Sequence, residues 1–164
     1  MTISDPSGLF PVDEEGKPIP FWRQKELEVG GKLRAEYPAD RYTILYNRAV
    51  RDPDTGQALR DAGGSVRRPD FQVIENATGD VVNITEVGTG STEYLTGQKI
   101  PAFQRYQGIA GQLEPQPTVR LEYEVTPSPV FGLAGRIFYP LMIIDMLIFS
   151  AEFMMQSEPR TVKS

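Results

Sequence analysis

The sequence contains neither cysteine nor histidine. Without cysteine the chain has no disulfide bonds, zinc–thiolate sites or thiol nucleophiles. Without histidine it has no imidazole acid–base catalysis and none of the triads that depend on it. Any catalysis must therefore use carboxylates, lysine, tyrosine or hydroxyl groups, or a hard metal ion held by oxygen ligands.

The chain also lacks a net positive charge and a recognisable secretion signal. Its formal net charge is −5, whereas a protein that holds nucleic acid mainly through bulk charge is expected to be basic. Residues 1–11 carry neither a basic segment nor a long apolar run, so we expect no cleavable signal peptide. If the protein is exported, another route must carry it.

The 164 residues suit one domain with a modest core. Prolines and acidic residues dominate 1–20, which predicts an extended N-terminal arm. Residues 21–69 carry ten basic and seven acidic side chains, whereas 70–125 carry three basic and eight acidic ones. This asymmetry fits either a basic wall beside a carboxylate cluster, as a metal-dependent phosphodiesterase needs, or a mixed solvated surface. We expect a core over 21–126 and an apolar helix with a polar tail over 127–164.

The residue pattern predicts a mixed α/β fold. Apolar spacing and proline positions favour helices, and alternating β-branched and aromatic residues favour strands. The predicted elements are a helix over 21–37, strands over 42–46, 71–75 and 81–87, a loop over 88–92, a helical segment over 94–110 and a strand over 119–126.

Two carboxylates flank the predicted hairpin. Asp70 precedes its first strand and Glu86 lies near the end of its second, so antiparallel pairing brings both to one end of the sheet. With the backbone carbonyl of Val87 they would supply three oxygen ligands for Mg²⁺ or Mn²⁺. Such an ion polarises a phosphate and activates water without histidine. The alternative is that Asp70 caps a turn and Glu86 pairs with a surface arginine.

Four short motifs occur in a fixed order over about residues 20–125. They are Gln24 to Gly30 in the first helix, Arg67-Arg68-Pro69-Asp70-Phe71, Glu86-Val87, and Thr96-Gly97-Gln98-Lys99. This ordered set resembles the PD-(D/E)xK nuclease superfamily, particularly the restriction-endonuclease-like toxin domains of bacterial polymorphic toxins. The resemblance implies a restriction-endonuclease-like mixed sheet flanked by helices. It also implies metal-dependent phosphodiester hydrolysis, with DNA favoured as the substrate.

The resemblance implies roles for four further residues. Glu26 fits the acid of the first helix better than Glu28 does. Arg67 and Arg68 would hold the scissile or a neighbouring phosphate, because arginine forms bidentate contacts with phosphate oxygens. Gln98 would contact the substrate or the activated water. Each of these side chains could instead be a solvated surface residue.

The sequence departs from the family pattern at the motif lysine. The (D/E)xK motif places that lysine two residues after the glutamate, where this chain has Gly88. Lys99 in the following helix is the obvious replacement, although it could also be a solvated helix lysine. If no lysine reaches the site, the domain would be a weak nuclease or an inactive binding fold.

The N-terminal arm carries a second resemblance. Asp5-Pro6-Ser7-Gly8-Leu9 resembles the short motif that joins the repeat core of Rhs-type toxins to their variable tip. This implies export as part of a larger delivery protein, action in the cytoplasm of a target cell, and a cognate immunity protein as partner.

The apolar segment from Ile137 to Met155 approaches the length of a bilayer span, about 20 residues. Asp145 and Glu152 interrupt it, and a central Asp costs about 2.5–3.5 kcal/mol in a membrane. We therefore expect a helix packed against protein. Alternatives stay open for the whole chain: an RNase or tRNase on the same fold, a membrane-perturbing toxin that uses residues 131–155, or an inactive binding fold.

Overall fold

The computed structural model describes residues 11–126 in full, together with the backbone of three flanking strands, Ile3–Ser4, Val130–Phe131 and Ile137–Phe138. In chain order the elements are β1 (Ile3–Ser4), β2 (Pro11–Val12), α1 (Phe21–Glu36), β3 (Tyr42–Tyr46), β4 (Phe71–Glu75), β5 (Val81–Gly90), α2 (Thr92–Tyr94), a π-helical turn (Leu95–Lys99), α3 (Ile100–Ala110), β6 (Thr118–Val125), β7 (Val130–Phe131) and β8 (Ile137–Phe138).

The central element is a four-stranded mixed sheet in the order β3-β4-β5-β6. The first three strands form an antiparallel meander, and β6 pairs in parallel with β5 after the crossover through α2 and α3. Parallel neighbours need such a crossover, because a tight turn joins only antiparallel strands. The predicted mixed α/β fold is confirmed.

Apolar side chains cover both faces of the sheet. On one face, Val29 and Leu33 of α1 pack in one cluster with Phe71 and Val73 of β4. Gly30 permits this contact, because a Cβ there would lie only 3.3 Å from the Phe71 ring.

The other face of the sheet is covered by α3. Buried residues of α3 form one core cluster with side chains of β5 and β6. The cluster contains Phe103, Tyr106, Ile109 and Ala110 of α3, Val81 and Ile84 of β5, and Val119 of β6. The sheet is therefore enclosed between α1 and α3, and its strand ends are left to carry polar groups.

Within residues 11–126 the predicted helices and strands agree with the structure to within one residue, apart from two differences near the second helix. Strand β5 continues through Gly90, so part of the predicted loop over 88–92 is strand. The helical segment begins earlier than predicted, at Thr92, because the Ser91 side chain accepts a hydrogen bond from the Tyr94 N–H and caps it.

Short strands occur near both ends of the chain. In the arm, β1 pairs with β2 in antiparallel register. The predicted apolar helix is wrong at its start, because Ile137–Phe138 forms a strand that pairs with Val130–Phe131. Ile137 is β-branched and Phe138 is aromatic, and both residue types favour strands, which accounts for the difference. The remainder of the predicted helix, 139–155, lies outside the described residues. Within the described part, no helix is long and apolar enough to cross a membrane.

Candidate active site

The β4–β5 pairing brings Asp70 and Glu86 together. Phe71 pairs with Thr85, so the residues next to them, Asp70 and Glu86, meet at the same end of the two strands. The Val87 N–H donates a 2.7 Å hydrogen bond to Oδ2 of Asp70. Glu86 is buried, with only 9% of its surface exposed. Two carboxylates thus lie close together where little water reaches them.

The Asp70 carboxyl is strongly perturbed by its surroundings. Burial raises its pKa most, and the charges of Glu86 and Glu26 raise it as well, whereas the Val87 N–H and Lys99 lower it. The net result is a pKa of about 6. The ionised form of Asp70 is therefore less favourable here than in water.

Lys99 reaches Glu86 from the π-helical turn that precedes α3. Its Nζ donates to Oε1 of Glu86 at 2.8 Å and to the Val87 carbonyl at 2.6 Å. A Cβ on Gly88 would lie 2.7 Å from Cε of Lys99. The Lys99 side chain therefore occupies the space that a side chain at position 88 would need.

A π-helical turn, Leu95–Lys99, sets the direction of Lys99. Such turns contain one extra residue and occur frequently at functional sites. Phe103 and Tyr106, four and seven residues further on, share the helix face of Lys99. Tyr106 is 5% exposed, and burial together with Glu86 and Asp70 raises its pKa. The sequence reasoning missed Tyr106, which the i, i+4, i+7 spacing from Lys99 could have indicated.

The structure separates the two candidate acids of the first helix. Oε2 of Glu26 accepts hydrogen bonds from Nη1 of Arg23 at 2.8 Å and from the Tyr46 hydroxyl at 3.0 Å, and its charge acts on Asp70. Glu28 forms ion pairs with Lys25 and Lys32 instead, and its side chain is 47% exposed. Of the two carboxylates, Glu26 therefore belongs to the group around Asp70.

The two arginines of the motif differ in their surroundings. Nε of Arg67 donates to Oδ2 of the buried Asp61 at 2.6 Å, so this arginine anchors the loop that precedes β4. Arg68 is exposed and lines a surface cavity. Gln98 is also exposed, and within residues 11–126 it forms no side-chain hydrogen bond to Asp70 or Glu86.

The oxygen donors at this site are few. Among the residues that the structure describes, no three acidic, histidine or cysteine side chains converge as a metal-binding group. Asp70 and Glu86 supply the available carboxylate oxygens, whereas the Val87 carbonyl, the predicted third ligand, already accepts a 2.6 Å hydrogen bond from Lys99 Nζ. This set suits Mg²⁺, which commonly uses one or two carboxylates and takes its other ligands from water and substrate phosphate.

Comparison with protein-family models, with curated proteins and with solved structures gave no match to this chain.

Proposed function

We propose that this protein is a metal-dependent nuclease of the PD-(D/E)xK type that hydrolyses phosphodiester bonds, with DNA as the favoured substrate. One observation carries the proposal: Lys99 occupies the space beside Glu86 that a lysine at position 88 would fill. The motif appears incomplete in the sequence, yet an ammonium group lies next to the glutamate. The mixed sheet between two helices supports the same restriction-endonuclease-like interpretation.

The chemistry of the donors fits a divalent cation. Oδ1 of Asp70 and Oε2 of Glu86 accept no hydrogen bond from any other described residue, so each carboxylate keeps an oxygen available. Burial and the neighbouring charge of Glu86 raise the pKa of Asp70, and a bound cation would offset both by stabilising the ionised carboxylate. When bound, Mg²⁺ or Mn²⁺ would act as a Lewis acid on the phosphate and increase the acidity of a water molecule.

The protein groups have separate tasks in this proposal. Asp70 and Glu86 hold the cation, and the Val87 N–H fixes the orientation of Asp70 through its 2.7 Å hydrogen bond. Lys99 places a positive charge where the phosphate would gain negative charge, and stabilising such charge is commonly the largest contribution to catalysis. Glu26 adds a third negative charge nearby, and its bonds to Arg23 and Tyr46 hold it in place.

The biological setting is also a proposal. A nuclease that carries the Asp5–Leu9 motif would be the toxic tip of a larger delivery protein, and a cognate immunity protein would inhibit it. Expression of the chain in a bacterial cytoplasm should then arrest growth and degrade nucleic acid. The variant Glu86→Gln should be harmless at the same expression level.

The direct test incubates the purified chain with plasmid DNA and with total RNA, in Mg²⁺ or in excess EDTA. We expect Mg²⁺-dependent cleavage of DNA, which Glu86→Gln and Asp70→Asn abolish while the fold is kept. Glu75→Gln is the matched control, because Glu75 lies at the other end of β4 and contacts Arg41. Cleavage of RNA alone would favour the RNase alternative, and unchanged cleavage in EDTA would refute the metal-dependent mechanism.

A further inference from the structure

A basic cavity of about 510 Å³ is lined by residues that lie on either side of Asp70 in the sequence, among them Arg68 and Gln72. Arg48 and Arg51 of the segment after β3 line it, and so does Arg68 of the segment before β4. Asp52 is the acidic residue among the lining residues, so the cavity carries a net positive charge. The Asp52 carboxylate is already engaged, because its Oδ1 accepts the N–H groups of Asp54 and Thr55.

The arginines differ in how they are held. Nη1 of Arg51 donates to the Gly56 carbonyl at 2.7 Å, which fixes it within its turn. Within residues 11–126, the side chains of Arg48 and Arg68 form no hydrogen bond and no ion pair, so both guanidinium groups are available to a ligand. Guanidinium groups bind phosphate oxygens through paired hydrogen bonds.

The cavity is built into the fold and is not a chance patch of surface charge. Gln72 of β4 is 1% exposed, and its Nε2 donates to the carbonyls of Arg48 and Ala49 at 3.0 and 3.3 Å. This buried amide holds the arginine-bearing segment against the sheet. Part of the cavity lining is apolar, supplied by Leu45, Ile74 and Val81.

Two residues that line the cavity lie close in the chain to Asp70 of the candidate cleavage site. Arg68 and Gln72 each lie two residues from Asp70, and two residues of extended chain span about 7 Å. That length is comparable with the spacing of neighbouring phosphates in an extended strand. A strand with its scissile phosphate at Asp70 would therefore place the next nucleotide at the cavity.

We propose, on the basis of the proposed nuclease function, that this cavity takes one unpaired nucleotide next to the scissile phosphate. Its volume lies within the range of small-molecule sites, about 300–1,000 Å³. Arg48 and Arg68 hold the phosphate, and the base lies on the apolar part of the lining, where a guanidinium plane can stack on it. A base inside a continuous duplex cannot enter such a cavity without leaving its stack. The favoured substrate is therefore single-stranded or locally unpaired.

The test measures the binding of a fluorescein-labelled 12-nucleotide single strand and of the matching duplex to the full chain, by anisotropy in EDTA. We expect tighter binding of the single strand. Arg48→Ala and Arg68→Ala should each weaken it roughly tenfold and lower the salt dependence by about one charge. Ala49→Phe, which fills the cavity without removing charge, should weaken single-strand binding more than duplex binding. Arg41→Ala is the control, because Arg41 is an exposed arginine that does not line the cavity.

The outcomes separate this inference from the proposed function. If the wild type cleaves nucleic acid but the cavity variants bind and cleave like Arg41→Ala, the inference is wrong and the nuclease function stands. Equal or tighter binding of the duplex, or no binding of the single strand, also overturns it. Arginine-dependent binding without any Mg²⁺-dependent cleavage would support the cavity and refute the nuclease.

Discussion

Asp70→Asn should make the metal-free protein more stable while it abolishes activity. A carboxyl whose pKa is raised from 3.8 to about 6 destabilises the folded state above that pH. Because each pKa unit corresponds to about 1.4 kcal/mol, the full effect is about 3 kcal/mol. Asp70 is only partly buried, so solvent reduces the expected gain to about 1–3 kcal/mol. The amide oxygen of asparagine can still accept the Val87 N–H, so that contact is kept.

The size of this effect depends on pH. Below the unfolded-state pKa, Asp70 is protonated in both states and costs nothing. As pH rises from 3.8 to about 6, the unfolded state releases the proton more readily than the folded state, so the folded state loses stability, and the loss is complete above about 6. The gain from Asp70→Asn should therefore be present at pH 8 and largely absent near pH 4.

Thermal unfolding in EDTA at pH 8 and pH 4 is the assay. A gain of about 1–3 kcal/mol corresponds to a midpoint about 3–9 °C higher at pH 8 for a chain of this size. Asp40→Asn, at an exposed aspartate, is the control and should change little. Added Mg²⁺ at pH 8 should stabilise the wild type and not Asp70→Asn. A variant no more stable than the wild type at pH 8, or equally stabilised at both pH values, would refute the reasoning.

Three further predictions concern the groups around the carboxylates. Lys99→Ala should slow single-turnover cleavage by on the order of 100-fold or more, whereas the control Lys32→Ala on α1 should not. Equal cleavage rates for these two variants would remove Lys99 from the mechanism. Gly88→Ala should displace the Lys99 side chain, because the added Cβ would lie 2.7 Å from Cε of Lys99. The substitution should slow cleavage strongly in the wild-type background but add little further loss in the Lys99→Ala background. Glu26→Gln should weaken Mg²⁺-dependent activity by roughly tenfold and Glu28→Gln should not, as measured by Mg²⁺ titration of the cleavage rate.

The main elements could be predicted because local pattern and packing agree. The β-branched and aromatic residues of 42–46, the alternation in 119–126 and the proline after α1 indicate nearly the same boundaries that the sheet and the helix contacts produce. The meeting of Asp70 and Glu86 followed from hairpin pairing alone, since register determines which residues lie opposite one another.

Other parts of the site depend on contacts between distant segments. The direction of Lys99 depends on a π-helical turn, and an extra residue per turn leaves little trace in apolar periodicity. Arg67 resembled a phosphate ligand in its motif, but its partner is Asp61 of the preceding loop. The cavity likewise depends on Gln72, whose polar side chain within a strand gave no sign that it would hold the loop at Arg48.

The proposed mechanism requires that Asp70 and Glu86 together hold a divalent cation. Binding of Mn²⁺, followed by electron paramagnetic resonance at pH 8 and displaced by Mg²⁺, measures this directly. We expect one Mn²⁺ per chain in the wild type and in Glu75→Gln, and loss of that binding in Glu86→Gln. The same Mn²⁺ occupancy in all three proteins would contradict it.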